Sequence, residues 1–142
     1  MCTIQRNFIN NIQEISQIEN IIHDQSFDIE EIHLKKDILS IKFKKERIDK
    51  KRLKQNRIFY KKVIIPCEKC FLNIYNVEDY KVIDSEKIGI YDFNSIDYIE
   101  SKGKIIINTT IPIFFEINVS KLKIEIVKTG IIIEEKVKKK LF

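Results

Sequence analysis

A mainly β (α+β) fold, with one leading helix followed by antiparallel hairpins, is what this sequence predicts. Apolar residues step by threes and fours from Ile4 to Ile22 and then change to the every-second-residue spacing of strands. From residue 27 to 135 the strand-like runs are short and closely spaced. No alternation of strands with long helical patterns marks a parallel sheet. At 142 residues, 44% hydrophobic and 33% charged, the chain has the size and balance of a single domain, 1–142.

The helix is expected over 4–22, where Ile4, Phe8, Ile12, Ile15, Ile18 and Ile22 form one stripe that should pack on a sheet. After His23-Asp24-Gln25-Ser26, the runs Phe27 to Lys35 and Ile38 to Lys45 form a hairpin about Lys36-Asp37. In the second run Leu39, Ile41 and Phe43 alternate with Ser40, Lys42 and Lys44, so one face is buried. In the first, Phe27 and Ile29 are out of phase with Ile32 and Leu34, which places a bulge near Glu30-Glu31.

Residues 46–56 have little β character and read as a basic loop or short helical turn. Strands resume from Ile58 to Ile65 and from Phe71 to Val77, joined by a turn through Pro66-Cys67-Glu68-Lys69-Cys70. Further strands are expected at Ile96 to Glu100, Lys104 to Thr109, Ile113 to Val119, Leu122 to Lys128 and Ile131 to Val137. Gly103 and Gly130 sit where tight turns are needed, with a weaker turn signal at Ser120-Lys121. The basic tail 136–142 reads as frayed and solvated. The hairpins should assemble into a sandwich or a strongly curved sheet.

Composition narrows the function classes. The longest apolar runs, such as Ile111-Pro112-Ile113-Phe114-Phe115, are strand-sized, far short of the roughly 20 residues that span a bilayer, so no membrane role is expected. No basic-then-apolar signal segment opens the chain, and this sets aside the glycosylation-type triplets at Asn108 and Asn118. Three cysteines, an odd number, point to a reducing compartment, with cytoplasm the expected location. The chain has no Ala or Trp and only three Gly, while Ile, Lys and Asn abound, as an AT-rich coding sequence tends to produce. Part of the +5 net charge therefore reflects codon usage.

No catalytic motif is recognisable and no cofactor is expected. Gly89, Gly103 and Gly130 are too scattered for a phosphate-cradling loop or a nucleophile elbow. Cys67-Glu68-Lys69-Cys70 has the spacing of half a zinc site, but only Cys2, His23 and His33 could add soft ligands and they form no second pair. Cys67 and Cys70 are weak metal candidates beside the plainer reading of unligated cysteines on a turn. His23-Asp24 reads as a polar helix end rather than a general base with its orienting carboxylate, and His33 as a surface residue. Glu30-Glu31 and Glu134-Glu135 are strand neighbours, so each pair should diverge to opposite faces.

Charge is the main functional clue. Between Lys42 and Lys62 there are eleven Lys or Arg against Glu46 and Asp49. Between residues 78 and 100 the acids Glu78, Asp79, Asp84, Glu86, Asp92, Asp97 and Glu100 face only Lys81 and Lys87. Lys50, Lys51, Arg52, Lys54 and Arg57 are the nucleic-acid candidates, with Phe59 and Tyr60 beside them as stacking surfaces. Two plainer readings stand beside this one: a solvated basic loop, and mutual attraction of the two segments within the fold.

The order of features from about residue 23 to 135 carries a resemblance. His23-Asp24 precedes the hairpin Ser26-Phe27-Asp28-Ile29-Glu30-Glu31-Ile32-His33-Leu34 and Leu39-Ser40-Ile41-Lys42-Phe43; Asn76-Val77-Glu78-Asp79-Tyr80 and Ile96-Asp97-Tyr98-Ile99-Glu100 follow, then the C-terminal hairpins. This resembles the small β-rich immunity-type proteins of bacterial polymorphic-toxin systems. The resemblance implies a non-enzymatic protein that neutralises a cognate toxin by binding it, with the acidic residues 78–100 as its contact surface. A nucleic-acid-binding module using the basic segment 42–62 is the alternative, and an uncharacterised structural domain a third.

Overall fold

In the computed structural model, which describes residues 3–56 and 60–141, the N-terminal apolar stripe divides between two elements. Strand β1 (Gln5–Ile9) comes first, then a 3-10 turn (Ile12–Glu14) running into helix α1 (Ile15–Ile22). The expected helix over 4–22 is thus corrected to 12–22. Isoleucine steps of three and four fit a helix, but Ile is β-branched and suits a strand equally well. An available edge decides the first five residues, because β1 pairs antiparallel with the last strand from Gln5↔Lys128 to Ile9↔Ile124. Asn11 then starts the helical stretch by accepting from the Glu14 amide at 3.1 Å. Only Ile18 and Ile22 of the stripe are fully buried, while Ile4, Phe8 and Ile12 stay exposed.

The hairpin forms as expected from β2 (Ser26–Lys35) and β3 (Ile38–Glu46). Its register jumps from Phe27↔Phe43 to Ile32↔Ile41, so residues 28–31 bulge opposite Lys42. Before the bulge, Ser26 and Phe27 pair on both sides, with β3 and with another strand, β7 (Ile90–Ile99), which also takes Asp28. Within 46–56, expected as a basic loop or short helical turn, a 3-10 turn (Ile48–Lys50) does form, and strand β4 (Arg52–Asn56) follows where no strand was expected.

The largest departure is β5 (Tyr60–Ile74), one strand of 15 residues that runs straight through the predicted turn at 66–70. Pro66 is tolerated because its peptide edge faces a gap between two neighbours. β3 pairs with β5 only as far as Glu46↔Cys67, and β4 begins at Arg52↔Ile64. The Pro66 carbonyl points into that gap and accepts from the Arg47 amide at 2.8 Å. No strand there needs the N–H that proline lacks.

Strands β6 (Val77–Ile83), β8 (Lys104–Thr109) and β9 (Phe114–Val119) follow, and the expected strand at 96–100 is the end of β7, with Glu100 in a 3-10 turn. The last strand, β10 (Ile124–Leu141), spans 18 residues. Gly130, expected in a turn, instead lies inside β10 with φ 74°, where three β10 residues pass against one of β5 between Lys128↔Cys70 and Ile132↔Glu68. This is a bulge, and positive φ is what glycine supplies there. Gly103 does close a turn, with φ 60°.

The fold is mainly β: the helical stretch 12–22 and ten antiparallel strands in one open sheet, ordered β1-β10-β5-β3-β2-β7-β8-β9-β6, with β4 continuing the β3 edge of β5. Of the two expected assemblies the structure takes the curved sheet. Phe27 on β2 stacks on Phe93 of β7 at 4.4 Å and also meets Phe115 of β9 at 6.5 Å, although β9 is three places away in strand order. One core therefore gathers Ile18 and Ile22, Leu39, Ile41 and Phe43 from β3, and Ile105 and Ile117 from the far strands. Each such side chain contributes about 1.5–3 kcal/mol on burial. No helix among the described residues is long and apolar enough to cross a membrane.

Candidate nucleic-acid interface

Because β5 and β10 are much longer than their neighbours, their outer halves leave the sheet together as a ribbon, with β4 as its third strand. The pairs Lys136↔Ile65, Lys138↔Val63 and Lys139↔Lys62 hold β10 to β5, and Leu53↔Val63 holds β4. The tail read as frayed is therefore a paired strand. It brings Lys136, Lys138, Lys139 and Lys140 alongside Lys61, Lys62, Arg52 and Lys54, with Glu134 and Glu135 the only acids in these strand segments.

The two faces of the ribbon differ. Val63, Ile65 and Cys67 are buried on one face, outside the main core, and Glu46 lies there between Lys136 at 3.3 Å and Lys138 at 3.1 Å. Burial pushes the Glu46 carboxyl up, and the hydrogen bonds from Lys138 and Lys136 outweigh it, so the group sits below the ordinary carboxylate value. On the other face Arg52 meets Glu135 at 2.6 Å, and the Lys139 ammonium lies 4.1 Å from the Tyr60 ring centroid. Glu134 instead reaches Lys44 at 3.1 Å, so this acid pair diverges as its position on a strand requires. Lys54, Lys61 and Lys62 meet no carboxylate within 4.0 Å among the described residues.

Of the basic residues singled out in the sequence, Lys50 ends the 3-10 turn, Lys51 links it to β4, and Arg52 and Lys54 lie on β4. Arg57, Phe59 and Cys2 lie outside the described residues. Sequence reasoning missed the part played by Lys136, Lys138, Lys139 and Lys140 of β10. Their only trace was parity, since Val137 and Leu141 continue the odd-numbered spacing of Ile133.

The acidic residues do not form one surface. Glu78 and Asp79 lie on β6, Asp84 and Glu86 after it, Asp92 and Asp97 on β7, and Glu100 in the following turn. Strands β8 and β9 separate β6 from β7. Most of these acids are exposed, yet Asp97 accepts from Asn108 at 2.9 Å, Asp79 from Asn118 and Asp84 from Tyr91, so three already have neutral partners. Lys104 and Glu116 form an ion pair between them. No ion pair among the described residues joins 78–100 to 42–62, so the two charge segments do not cover each other.

Cys67 and Cys70, expected on a turn, lie within β5 and face opposite ways, since their β3 partners are Glu46 and Phe43. Both thiols are buried, which pushes both up, Cys70 to about 12. No cluster of three or more metal-ligating side chains occurs among the described residues. His23 caps α1 with Nδ1 2.8 Å from the Asn94 carbonyl and Nε2 3.4 Å from Asp24, and His33 is exposed. Comparison with family models, curated proteins and solved structures returned no match.

Proposed function

We propose that this chain is a non-enzymatic binding module whose β4–β5–β10 ribbon takes the phosphate backbone of single-stranded nucleic acid. One observation carries the reading: β10 lays Lys136 to Lys140 beside Lys61 and Lys62, concentrating cations that the sequence holds about 75 residues apart. Lysines without carboxylate partners suit phosphate, and Tyr60 offers a face for a base. The test is anisotropy of a labelled oligonucleotide lacking a terminal phosphate, titrated across salt. Affinity should fall with salt, with a slope of roughly 0.7 per phosphate contact. The double variant Lys62→Gln, Lys139→Gln, a cross-strand pair on one face of the ribbon, should flatten that slope by about 1.4. Absence of binding at low salt would refute the proposal.

A second reading, a toxin-neutralising protein of the immunity type, draws support from the open acids Glu78, Glu86, Asp92 and Glu100, which the basic segment leaves unengaged. Its test is co-expression with the product of the neighbouring large gene in the native host. Protection that is lost when these four acids are neutralised would favour it over the ribbon reading, and no protection would exclude it.

A further inference from the structure

Beside the ribbon, where β1, β3, β5 and β10 meet, a cavity of about 380 Å³ is lined by Lys45, Arg47, Lys50, Glu68, Lys128 and Gly130, with Thr3 and Gln5. It lies at the other end of β5 and β10 from Lys61, Lys62 and Lys136 to Lys140 of the proposed backbone-binding surface, and none of those lysines lines it. Glu68 is anchored on both oxygens: Arg47 donates to one at 3.0 Å, and the Gly130 amide of the β10 bulge donates to the other at 2.7 Å. The Glu68 side chain is only 3% exposed, and Arg47 is held from behind by both carboxylate oxygens of Asp49, at 3.0 and 2.8 Å. Arg47 is thus shared between Glu68 and Asp49 and stays fixed, and the four cations Lys45, Arg47, Lys50 and Lys128 stand against these two carboxylates.

Lys45, Lys50 and Lys128 remain, and none has a carboxylate within 4.0 Å among the described residues. Three ammonium groups around one concavity repel one another, and a polyvalent anion relieves that repulsion. The volume falls within the ~300–1,000 Å³ range of small-ligand sites. No aromatic side chain lines it, so nothing there would stack a base.

We infer that this cavity is a binding site for a multiply charged phosphate group, either a free phosphoanion or the phosphorylated end of a strand. Recognition of phosphate here stands apart from the ribbon; only the strand-end source rests on that reading. The experiment is calorimetric titration with inorganic pyrophosphate at low ionic strength. Lys45→Met with Lys128→Met should weaken pyrophosphate binding by about tenfold or more, and the exposed Lys50→Gln, which leaves the fold untouched, by a smaller factor. Lys61→Gln with Lys62→Gln should leave it unchanged. No binding of pyrophosphate, or equal affinity in the cavity variants, overturns the site even if the ribbon binds oligonucleotides. A second arm compares 5′-phosphorylated with 5′-hydroxyl oligonucleotides. Tighter binding of the phosphorylated strand, abolished in the cavity variants, assigns the strand end; equal binding with pyrophosphate affinity intact assigns a free phosphoanion.

Discussion

Glu125 is fully buried on β10, although its side chain points away from the main core, and the side chains of Arg6 from the neighbouring β1 and of Asn73 and Tyr75 surround it. It accepts from Asn73 Nδ2 and the Tyr75 hydroxyl, each at 2.9 Å, and from Arg6 at 3.2 Å, while Ser40 donates to Asn73 at 2.7 Å. Burial, and then the bond to Glu125, push the Tyr75 phenol up. Glu125→Ala leaves Asn73 and Tyr75 without their acceptor and should cost about 2–4 kcal/mol in urea unfolding. A loss below about 0.5 kcal/mol, the range of an ordinary surface substitution, would show that the network does not hold β1 in place. Gly103 makes a second prediction at this scale. At φ 60°, a Cβ added there would sit 2.8 Å from the Val119 carbonyl oxygen, and that carbonyl belongs to the strand the turn docks on. Gly103→Ala should therefore lower stability by about 2 kcal/mol, read from the same urea curves.

Among the elements, the ribbon has the most to lose. Its face carrying Val63 and Ile65 is held by Glu46 between Lys136 and Lys138, and its opposite face by Arg52 with Glu135. Glu46 is lowered in the folded chain relative to its ordinary value of 4.5, so the ionised form is the one folding favours. Its contribution is present above the unfolded value and is lost as pH falls through the folded one. Unfolding curves of the wild type should therefore lose stability below about pH 4.5, and Glu46→Gln should show a shallower acid limb. An identical acid limb in the variant would mean that the two lysines do not hold Glu46 ionised. The buried thiols of the same strand give a separate check: Cys70, pushed to about 12 by burial and then by Glu68, should resist alkylation at pH 8 until the protein is unfolded.

At the scale of the whole molecule, the sheet keeps its charges apart. From β5 to β7 the strand order crosses β3 and β2, and no ion pair among the described residues joins Asp97 or Glu100 to a lysine of the ribbon. Neutralising Asp97 and Glu100 should then leave oligonucleotide affinity at 0.15 M salt within about twofold. A much larger gain in affinity would show that the acids compete with the strand for the ribbon.

The hairpin 26–46, its bulge at 28–31, the strands 104–109 and 114–119 and the Gly103 turn were all legible, because each follows from alternation or turn chemistry within a few residues. So was the lopsided charge, which singled out Lys50, Lys51, Arg52 and Lys54 as candidates, of which Arg52 and Lys54 lie on β4. What local pattern could not convey was partnership over distance. Pro66 and Gly130 both read as turns until β5 and β10 paired through them, one facing a gap between strands and the other opening a bulge. The same pairing made a strand of the Lys136–Lys140 tail, and the edge of β10 turned the first part of a helical stripe into β1. In each case the backbone groups could satisfy their hydrogen bonds locally or with a distant strand, and the choice depended on neighbours some 60 to 120 residues away. Residue types told which segments could be strands, and only the assembled sheet decided where each one ended and which lysines it brought together.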